Sequence, residues 1–226
     1  MKERPILFSG PMVRAILQGR KTQTRRVVKP QPFMVLSAAE WHSRAMSGID
    51  PYGCRPMGSH VLEEMGATCP HGIVGDRLWV REAWTPDHAA FYPNFPIVYR
   101  ADRGYEYERN DRGEVYSPEQ KAWYPYRWRP SIHMPRWASR LTLEITGVRV
   151  ERLQQISDAD VDAEGMDLDG EHSQWFNEGE HQHIAGAPMS GERYAFMRLW
   201  SSINGPESWS ANPWVWVIEF KRLEAA

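Results

Sequence analysis

The stretch Gly19-Arg20-Lys21-Thr22-Gln23-Thr24-Arg25-Arg26 decides how this chain is read, because it gathers amines, hydroxyls and guanidinium groups in one short segment. In an extended strand, side chains alternate between the two faces, which predicts that Lys21 shares a face with Gln23 and Arg25. A bend at the start of the stretch would bring Lys21 beside Thr24, pairing an amine with a hydroxyl as base and nucleophile. A basic turn that is merely solvated is the alternative.

The residues before this stretch predict a strand followed by a helix. Pro5–Ser9 is short and apolar, as expected of a strand, and Ser9 with Pro11 marks the start of a helix. Gly19 suits the C-terminal end of that helix. The chain is therefore expected to turn at this glycine and enter Lys21–Val28.

Further strands are predicted where apolar residues alternate or are β-branched, over 77–82, 99–107, 141–150 and 213–220. Asp111–Gly113 is predicted to be a turn. Because strands outnumber helices, the expected fold class is α+β, with a mixed, barrel-like β domain, peripheral helices and long loops.

Two more helices are predicted. Ser157 and Asp160 resemble a capping box that opens a short helix ending at Met166. A second helix is predicted over 191–203, with an apolar face made of Tyr194, Met197, Trp200 and Ile203. Residues 29–75 show no clear period, and residues 167–191 are predicted to form a mobile acidic loop.

Composition and charge limit the classes of protein to which this chain can belong. The chain has 226 residues, two cysteines and a net charge of −2. No apolar run is long enough to cross a membrane and the cysteines form no disulfide framework, so a soluble cytoplasmic protein is expected. The first 30 residues carry eight Lys/Arg and one acid, whereas residues 151–186 carry ten acids and one Arg. The basic segment could attract phosphate, or the two segments could neutralise each other.

Tryptophan and arginine recur together. The chain has 11 tryptophans, and Tyr126-Arg127-Trp128-Arg129 and Arg136-Trp137 place them beside arginines. Such pairs stack nucleobases in RNA-binding proteins, but they also fill ordinary cores. Both interpretations stay open on sequence alone.

Metal and nucleotide motifs are weak. Cys54, His60, Cys69 and His71 offer zinc ligands in one region, but their spacing matches no compact zinc motif. Three histidines fall in the acidic segment, where a solvated loop is favoured over a metal site: His172, His181 and His183. The chain has no Walker loop, no dinucleotide-binding glycine fingerprint and no nucleophile elbow. No metal or cofactor is therefore expected.

The motifs together resemble the ASCH family, a branch of the PUA-like β-barrels. Its Gly-x-Lys-x-x-Thr-x-Arg motif is matched by Gly19–Arg26, its Gly-Asp-x-Leu-x-Val strand by Gly75–Val80, and its closing strand by Val217–Lys221. Longer stretches are similar to proteins encoded by bacteriophages and prophages: Pro5–Pro30, Arg127–Met166 and Phe196–Leu223. The resemblance implies a single ASCH domain over 1–226, with insertions at about 29–74, 85–140 and 167–192.

The resemblance also implies a function. Small bacterial members include an amidohydrolase that removes the acetyl group from N(4)-acetylcytidine with a Lys, a Thr and a Glu. These match Lys21, Thr24 and Glu164, with Asp160 and Asp162 as neighbouring alternatives for the acid. The expected partner is a modified cytidine nucleoside or RNA, and no membrane.

The hydrolytic chemistry is physically reasonable with those three groups. Thr24 would attack, Lys21 would accept its proton if neutral, and Glu164 would carry a proton to the leaving amine. Backbone amides near Gly19–Thr22 are the expected donors to the oxyanion. A plain salt bridge between Lys21 and Glu164 is the alternative.

Substrate-binding side chains are predicted around this triad. They are the motif arginines and two tryptophans that could wall a pyrimidine: Arg20, Arg25, Arg26, Trp79 and Trp214. The insertions would reshape the pocket relative to the small family members. Other members are RNA-binding modules or ribonucleases, so an RNA or single-stranded nucleic-acid-binding module is the competing interpretation.

Overall fold

The computed structural model describes residues 1–29, 31, 68–86, 97–102, 110–117, 121–125, 127–184 and 189–224. The chain divides into two compact units. The first unit comprises Met1–Thr22, His71–Ile145 and Phe220–Ala226, and the second comprises Gln23–Pro70 and Thr146–Glu219.

The described residues form nine strands: β1 (Glu3–Leu7), β2 (Gln23–Val27), β3 (Arg77–Arg81), β4 (Trp84–Thr85), β5 (Val98–Tyr99), β6 (Glu114–Ser117), β7 (Ala122–Pro125), β8 (Thr142–Arg152) and β9 (Trp214–Leu223). They also form four α-helices: α1 (Gly10–Leu17), α2 (Asp158–Ala163), α3 (Ser173–Ile184) and α4 (Gly191–Asn204). Short 3-10 turns lie at 100–102, 131–133, 136–138, 153–155 and 206–208.

Four neighbouring strand segments of one sheet organise the first unit: β1, β3, β8 up to Ile145 and β9 from Phe220 onward. β1 pairs with β3 in parallel, with Ile6 opposite Val80, and β3 pairs with β8 in antiparallel fashion, with Leu78 opposite Leu143. These four apolar side chains are buried, and Val13 and Ile16 of α1 are buried as well. Burial of apolar area therefore holds the first unit together.

Two small sheets extend the first unit. β4 pairs with β5, and β6 pairs with β7 as a hairpin. Trp84 of β4 packs with Met134 and Ala138 in a separate apolar cluster. The predicted Tyr99–Tyr107 strand is wrong at its start, because Tyr99 ends β5 and Arg100–Asp102 forms a 3-10 turn; residues 103–109 lie outside the described residues.

Strands β8, β9 and β2 follow one another across the sheet of the second unit. β2 is antiparallel to β9, with Gln23 opposite Glu219 and Val27 opposite Val215. Helices α2 and α4 cover an apolar core that includes Val161, Phe196 and Val217. This arrangement places the motif strand β2 next to α2, the helix that precedes Glu164.

Several predicted elements are confirmed within one to three residues: β1, α1, β3, β8, α4 and β9. The predicted turn before β6 is also present, since Gly113 N–H donates to the Asn110 carbonyl and φ of Gly113 is +74°. The capping box is confirmed, but α2 ends at Ala163 rather than Met166. Gly165 adopts φ of +80°, a conformation that ends a helix.

The predicted mobile loop over 167–191 is wrong. Ser173–Ile184 forms the twelve-residue helix α3, and Trp175 and Phe176 pack against the core of the second unit. Gly179 is buried against α4, where a Cβ would lie 2.6 Å from Cβ of Tyr194. Packing of these residues outweighs the polar composition of the segment.

The buried face predicted for α4 is partly wrong. Trp200 is buried as expected, but Ile203 is 56% exposed, and Ala195 and Phe196 fill the core instead. The helical spacing predicted for this segment is correct. The buried face of α4, however, is rotated relative to the predicted one, toward the side that meets α2 and α3.

The α+β class is confirmed. The described strands do not close into a barrel, so the barrel expected from the family resemblance stays a prediction. No described helix is both long enough and apolar enough to span a membrane.

Candidate functional site

The turn after α1 positions Lys21. Gly19 adopts φ of +76°, which favours glycine, and the chain then folds back under the end of the helix. The amides of Gly19, Arg20 and Lys21 donate to the carbonyls of Ile16 and Ala15 at 2.9–3.1 Å. These donors satisfy the carbonyls that a helix end leaves open, so the expectation that they serve an oxyanion is wrong for all three.

Lys21 is buried in the first unit, with only 3% of its surface exposed. Its Nζ lies 5.7 Å from the centre of the Phe8 ring. Phe8 in turn packs against Phe220 at a centroid distance of 6.1 Å. A buried lysine is costly unless it is compensated, and the aromatic face supplies part of that compensation.

Strand β2 carries three consecutive buried polar residues in the second unit: Gln23, Thr24 and Arg25. Thr24 lies opposite Ile218 of β9, at the second of the five paired positions of β2. Buried polar groups are normally hydrogen-bonded. Gln23 and Arg25 share one face of the strand by alternation, and the structure directs both of them to α2.

Helix α2 holds Glu164 at its C-terminal end. Ser157 Oγ accepts from the Asp160 amide at 3.1 Å, and the Ser157 amide donates to Asp160 Oδ2 at 3.2 Å. The Glu164 amide donates to the Asp160 carbonyl at 2.9 Å, which keeps Glu164 in the helical path. Glu164 is buried, whereas Asp162, one of the two alternative acids, is exposed.

Arg25 joins β2 to three carboxylates. Its Nη1 lies 3.2 Å from Glu164 Oε1, and its Nη2 lies 3.1 Å from Glu151 Oε2 and 3.2 Å from Asp160 Oδ2. The Arg25 side chain has no exposed surface. The predicted substrate-binding role of Arg25 stays a prediction, and its guanidinium is engaged by protein carboxylates.

A second arginine closes the same cluster from β8. Arg149 bonds Asp160 Oδ1 at 2.8 Å and also pairs with Glu151 and Glu219. Gln23 Nε2 donates to Asp160 Oδ1 and to the Asp160 carbonyl, both at 3.0 Å. We call Arg25, Arg149, Glu151, Asp160 and Glu164 the ion cluster.

The ion cluster shifts the ionisation of its members. Burial alone raises the pKa of Asp160, but hydrogen bonds from Ser157 and Gln23 outweigh burial and lower the pKa from 3.8 to about 2. The Asp160 carboxylate is therefore ionised at neutral pH. Burial lowers the pKa of Arg26, and the negative charge of Glu164 opposes this shift.

The remaining predicted contact residues have different surroundings. Arg20 is exposed and bonds Gln18 Oε1 at 2.6 Å. Trp79, in the first unit, is buried with the Arg81 guanidinium 4.6 Å from its ring. Trp214, in the second unit, is 2% exposed and lies under Arg152 at 4.4 Å. The role of both rings as walls for a pyrimidine stays a prediction.

The metal-ligand candidates are only partly described. Cys54 and His60 lie outside the described residues, and Cys69 is a buried free thiol. His172 Nδ1 accepts the Asp167 amide at 3.2 Å, which explains its burial. Within the described ranges, no group of three or more metal-ligating side chains comes together.

Several aromatic side chains of the first unit are exposed. Trp137 is 70% exposed, and its ring contacts the buried Trp84 edge to face at 5.8 Å. On the β6–β7 hairpin, Tyr116 and Trp123 pack at 5.4 Å and are also exposed. One arginine from the predicted Trp/Arg stretch, Arg129, stacks on Trp84 at 5.3 Å.

Sequence reasoning missed Arg149 and Glu151. Part of a signal was present, because Arg149 lies at the end of the strand predicted over 141–150, and Glu151, two positions on, would share its face if that strand continued. That pattern indicates a polar face but names no partner. Their engagement with α2 required the tertiary structure.

Comparison with protein-family models, with curated proteins and with solved structures finds no match to this chain.

Proposed function

We propose that this chain is an amidohydrolase of the ASCH type, with a PUA-like barrel, that removes an acyl group from an N(4)-acylated cytosine nucleoside. Lys21, Thr24 and Glu164 carry the reaction. The observation that supports the proposal is the ion pair between Arg25 and Glu164. It joins the residue after Thr24 to an acid 139 positions away, the same acid that the family resemblance selects.

The electrostatics of β2 also support Glu164 as the acid near Thr24. Thr24 and Arg26 share one face of β2, and Arg25 lies on the other. Glu164 pairs directly with Arg25, and its charge also acts on Arg26. The charge of Glu164 therefore acts on both of the residues that follow Thr24 in β2.

The reaction conserves atoms and protons through two steps. Thr24 Oγ1 attacks the acyl carbon while Lys21, three residues earlier in the chain, accepts the hydroxyl proton. The proton taken from Thr24 is then carried by Glu164 to N4 of the base as the amide bond breaks, which releases cytidine, leaves the acyl group on Thr24 and returns Lys21 and Glu164 to their starting charges. Water attacks this ester while Lys21 accepts a proton from it and returns that proton to Thr24 Oγ1, which releases the carboxylic acid and restores the threonine.

Burial of the three side chains suits this chemistry. Lys21, Thr24 and Glu164 are 3%, 2% and 9% exposed. Polar groups are rarely kept at such burial without a function or a full set of partners. Exclusion of water also strengthens each electrostatic interaction in the reaction.

The test is release of cytidine from N(4)-acetylcytidine by the purified protein and by the Lys21→Ala, Thr24→Ala and Glu164→Gln variants. The matched controls are Thr22→Ala, which removes an exposed hydroxyl from the same motif, and Lys221→Ala, which removes a lysine bonded to Glu144. Loss of turnover in the first three variants alone is expected. Full turnover in any of those three would remove that residue from the mechanism.

Binding of single-stranded RNA is the second candidate function, and the exposure of Trp137 favours it. This ring is 70% exposed yet fixed by its edge contact with Trp84, as a stacking platform requires. We expect Trp137→Ala to weaken binding of a labelled oligouridine by roughly 1–3 kcal/mol. Ile203→Ala, at an exposed apolar residue of α4, is the control; no binding at low salt would eliminate this candidate.

A further inference from the structure

Arg25 has the contacts of a residue that fixes another side chain. Its side chain has no exposed surface, and both terminal nitrogens point to carboxylates. Its guanidinium also lies 6.0 Å from the centre of the Phe196 ring. A guanidinium so enclosed holds its neighbours in a fixed geometry, because its planar fork allows few alternative arrangements.

The other end of the fork is anchored independently of Glu164. Glu151 and Asp160 hold Nη2 of Arg25, and Arg149 pairs with both of those carboxylates. Gln23 adds two hydrogen bonds to Asp160. Nη1, which faces Glu164, therefore has a position set by its surroundings.

We propose that Arg25 is a positioning residue that orients the Glu164 carboxylate through the ion pair between Nη1 and Oε1. This inference rests on the proposed function, because only that function assigns Glu164 a role in catalysis. It also replaces the predicted role of Arg25 as a substrate contact.

Arg149 is a natural matched control for Arg25. Both arginines belong to the ion cluster and both bond Glu151 and Asp160, so removal of either deletes one positive charge next to the same acids. Arg25 bonds Glu164, whereas Arg149 bonds Glu219 as its third acid. A difference between the two variants therefore reports on Glu164 and not on general loss of charge.

The experiment compares Arg25→Gln, Arg25→Lys and Arg149→Gln by steady-state kinetics on N(4)-acetylcytidine, by thermal unfolding and by crystal structures. We expect Arg25→Gln to lower kcat roughly 100-fold with KM unchanged, since misplacement of a catalytic group by about 1 Å costs that much. The Glu164 carboxylate should turn away from β2 in this variant. Arg149 supports Arg25 only indirectly, through Glu151 and Asp160, so Arg149→Gln should lower kcat by much less than Arg25→Gln and should leave Glu164 in place.

Arg25→Lys keeps the proposal testable if Arg25→Gln does not fold. Lysine retains the charge but not the fork, so kcat should lie between those of the wild type and Arg25→Gln, again at unchanged KM. A lysine variant with wild-type kcat would overturn the positioning role. A raised KM with normal kcat in either Arg25 variant would also overturn it, because Arg25 would then be a substrate contact.

The crystal structures separate failure of this inference from failure of the proposed function. If the wild type releases no cytidine, the amidohydrolase proposal fails, and the position of Glu164 in Arg25→Gln still decides whether Arg25 orients it. If the wild type is active and Glu164 does not move in Arg25→Gln, the inference fails while the function stands.

Discussion

Gln23 and Asp160 lie 137 positions apart in the chain, yet two hydrogen bonds join them, from Gln23 Nε2 to the Asp160 carbonyl and to Asp160 Oδ1. The first of these acceptors belongs to the backbone of α2. Gln23 therefore fixes the helix itself to β2, and with it the position of Glu164 at the helix end. The motif strand thus has a structural role in addition to the chemistry proposed for it.

Loss of this link should destabilise the protein. Replacing Gln23 with leucine removes both hydrogen bonds and leaves the partly buried Asp160 acceptors with fewer partners. We expect Gln23→Leu to lower the free energy of unfolding in urea by about 1–3 kcal/mol. Gln18→Leu, which removes an exposed amide bonded to Arg20, is the control and should change it by less than about 0.5 kcal/mol. Equal effects of the two variants would contradict this role of Gln23.

Protonation of Asp160 should make the protein less stable in acid. Although burial raises its pKa, hydrogen bonds outweigh it, and the folded-state pKa is about 2. A carboxyl with a depressed folded-state pKa stabilises the fold at neutral pH, and this contribution disappears as pH falls from about 5 toward 2. Wild-type stability should therefore fall more steeply over that interval than the stability of Asp160→Asn. Parallel stability curves would show that Asp160 does not carry this effect.

Glu82 in the first unit should show the opposite pH dependence. Burial raises the pKa of its carboxyl above 4.5, and the hydrogen bonds from Arg140 offset only part of that rise. A carboxyl with a raised folded-state pKa contributes stability below its unfolded pKa, which is lost as pH rises through the folded-state pKa. The stability of the wild type relative to Glu82→Gln should therefore decrease as pH increases from about 4. If the relative stability increased over the same interval, the interaction with Arg140 would outweigh burial in setting the pKa of Glu82.

The packing of α3 on α4 should tolerate no side chain at position 179. A Cβ there would lie 2.6 Å from Tyr194 Cβ and 2.8 Å from Gly191 Cα, and neither atom can move freely. We expect Gly179→Ala to cost about 1–3 kcal/mol of unfolding free energy. Gly10→Ala is the helical control, since its Cβ would meet atoms no nearer than 3.6 Å. A neutral Gly179→Ala would mean that α3 does not pack as described.

Local signals in the sequence predicted the elements that depend on neighbouring residues. Ser9 and Pro11 marked the start of α1, and the pairing of Ser157 with Asp160 predicted the cap of α2. Each feature involves residues only a few positions apart, where backbone hydrogen bonds and side-chain caps determine the conformation. The alternation of β2 likewise predicted that Gln23 and Arg25 share a face.

Tertiary contacts decided what the sequence left open. Helix α3 was missed because its charged and glycine residues suggested a loop, whereas Trp175, Phe176 and Gly179 stabilise it only through their packing. The same holds for the ion pair of Arg25 with Glu164, since no local pattern links residues so far apart. The amides after α1 were assigned to an oxyanion because the sequence does not show that helix carbonyls accept them.

The most direct test of the account is the rate of cytidine formation from N(4)-acetylcytidine by the wild-type protein and by Thr24→Ala at equal concentration. The account predicts that the wild type forms cytidine and acetate in equal amounts and that Thr24→Ala forms neither, while both proteins unfold cooperatively. Absence of cytidine from the wild-type reaction, or an undiminished rate in Thr24→Ala, would contradict it.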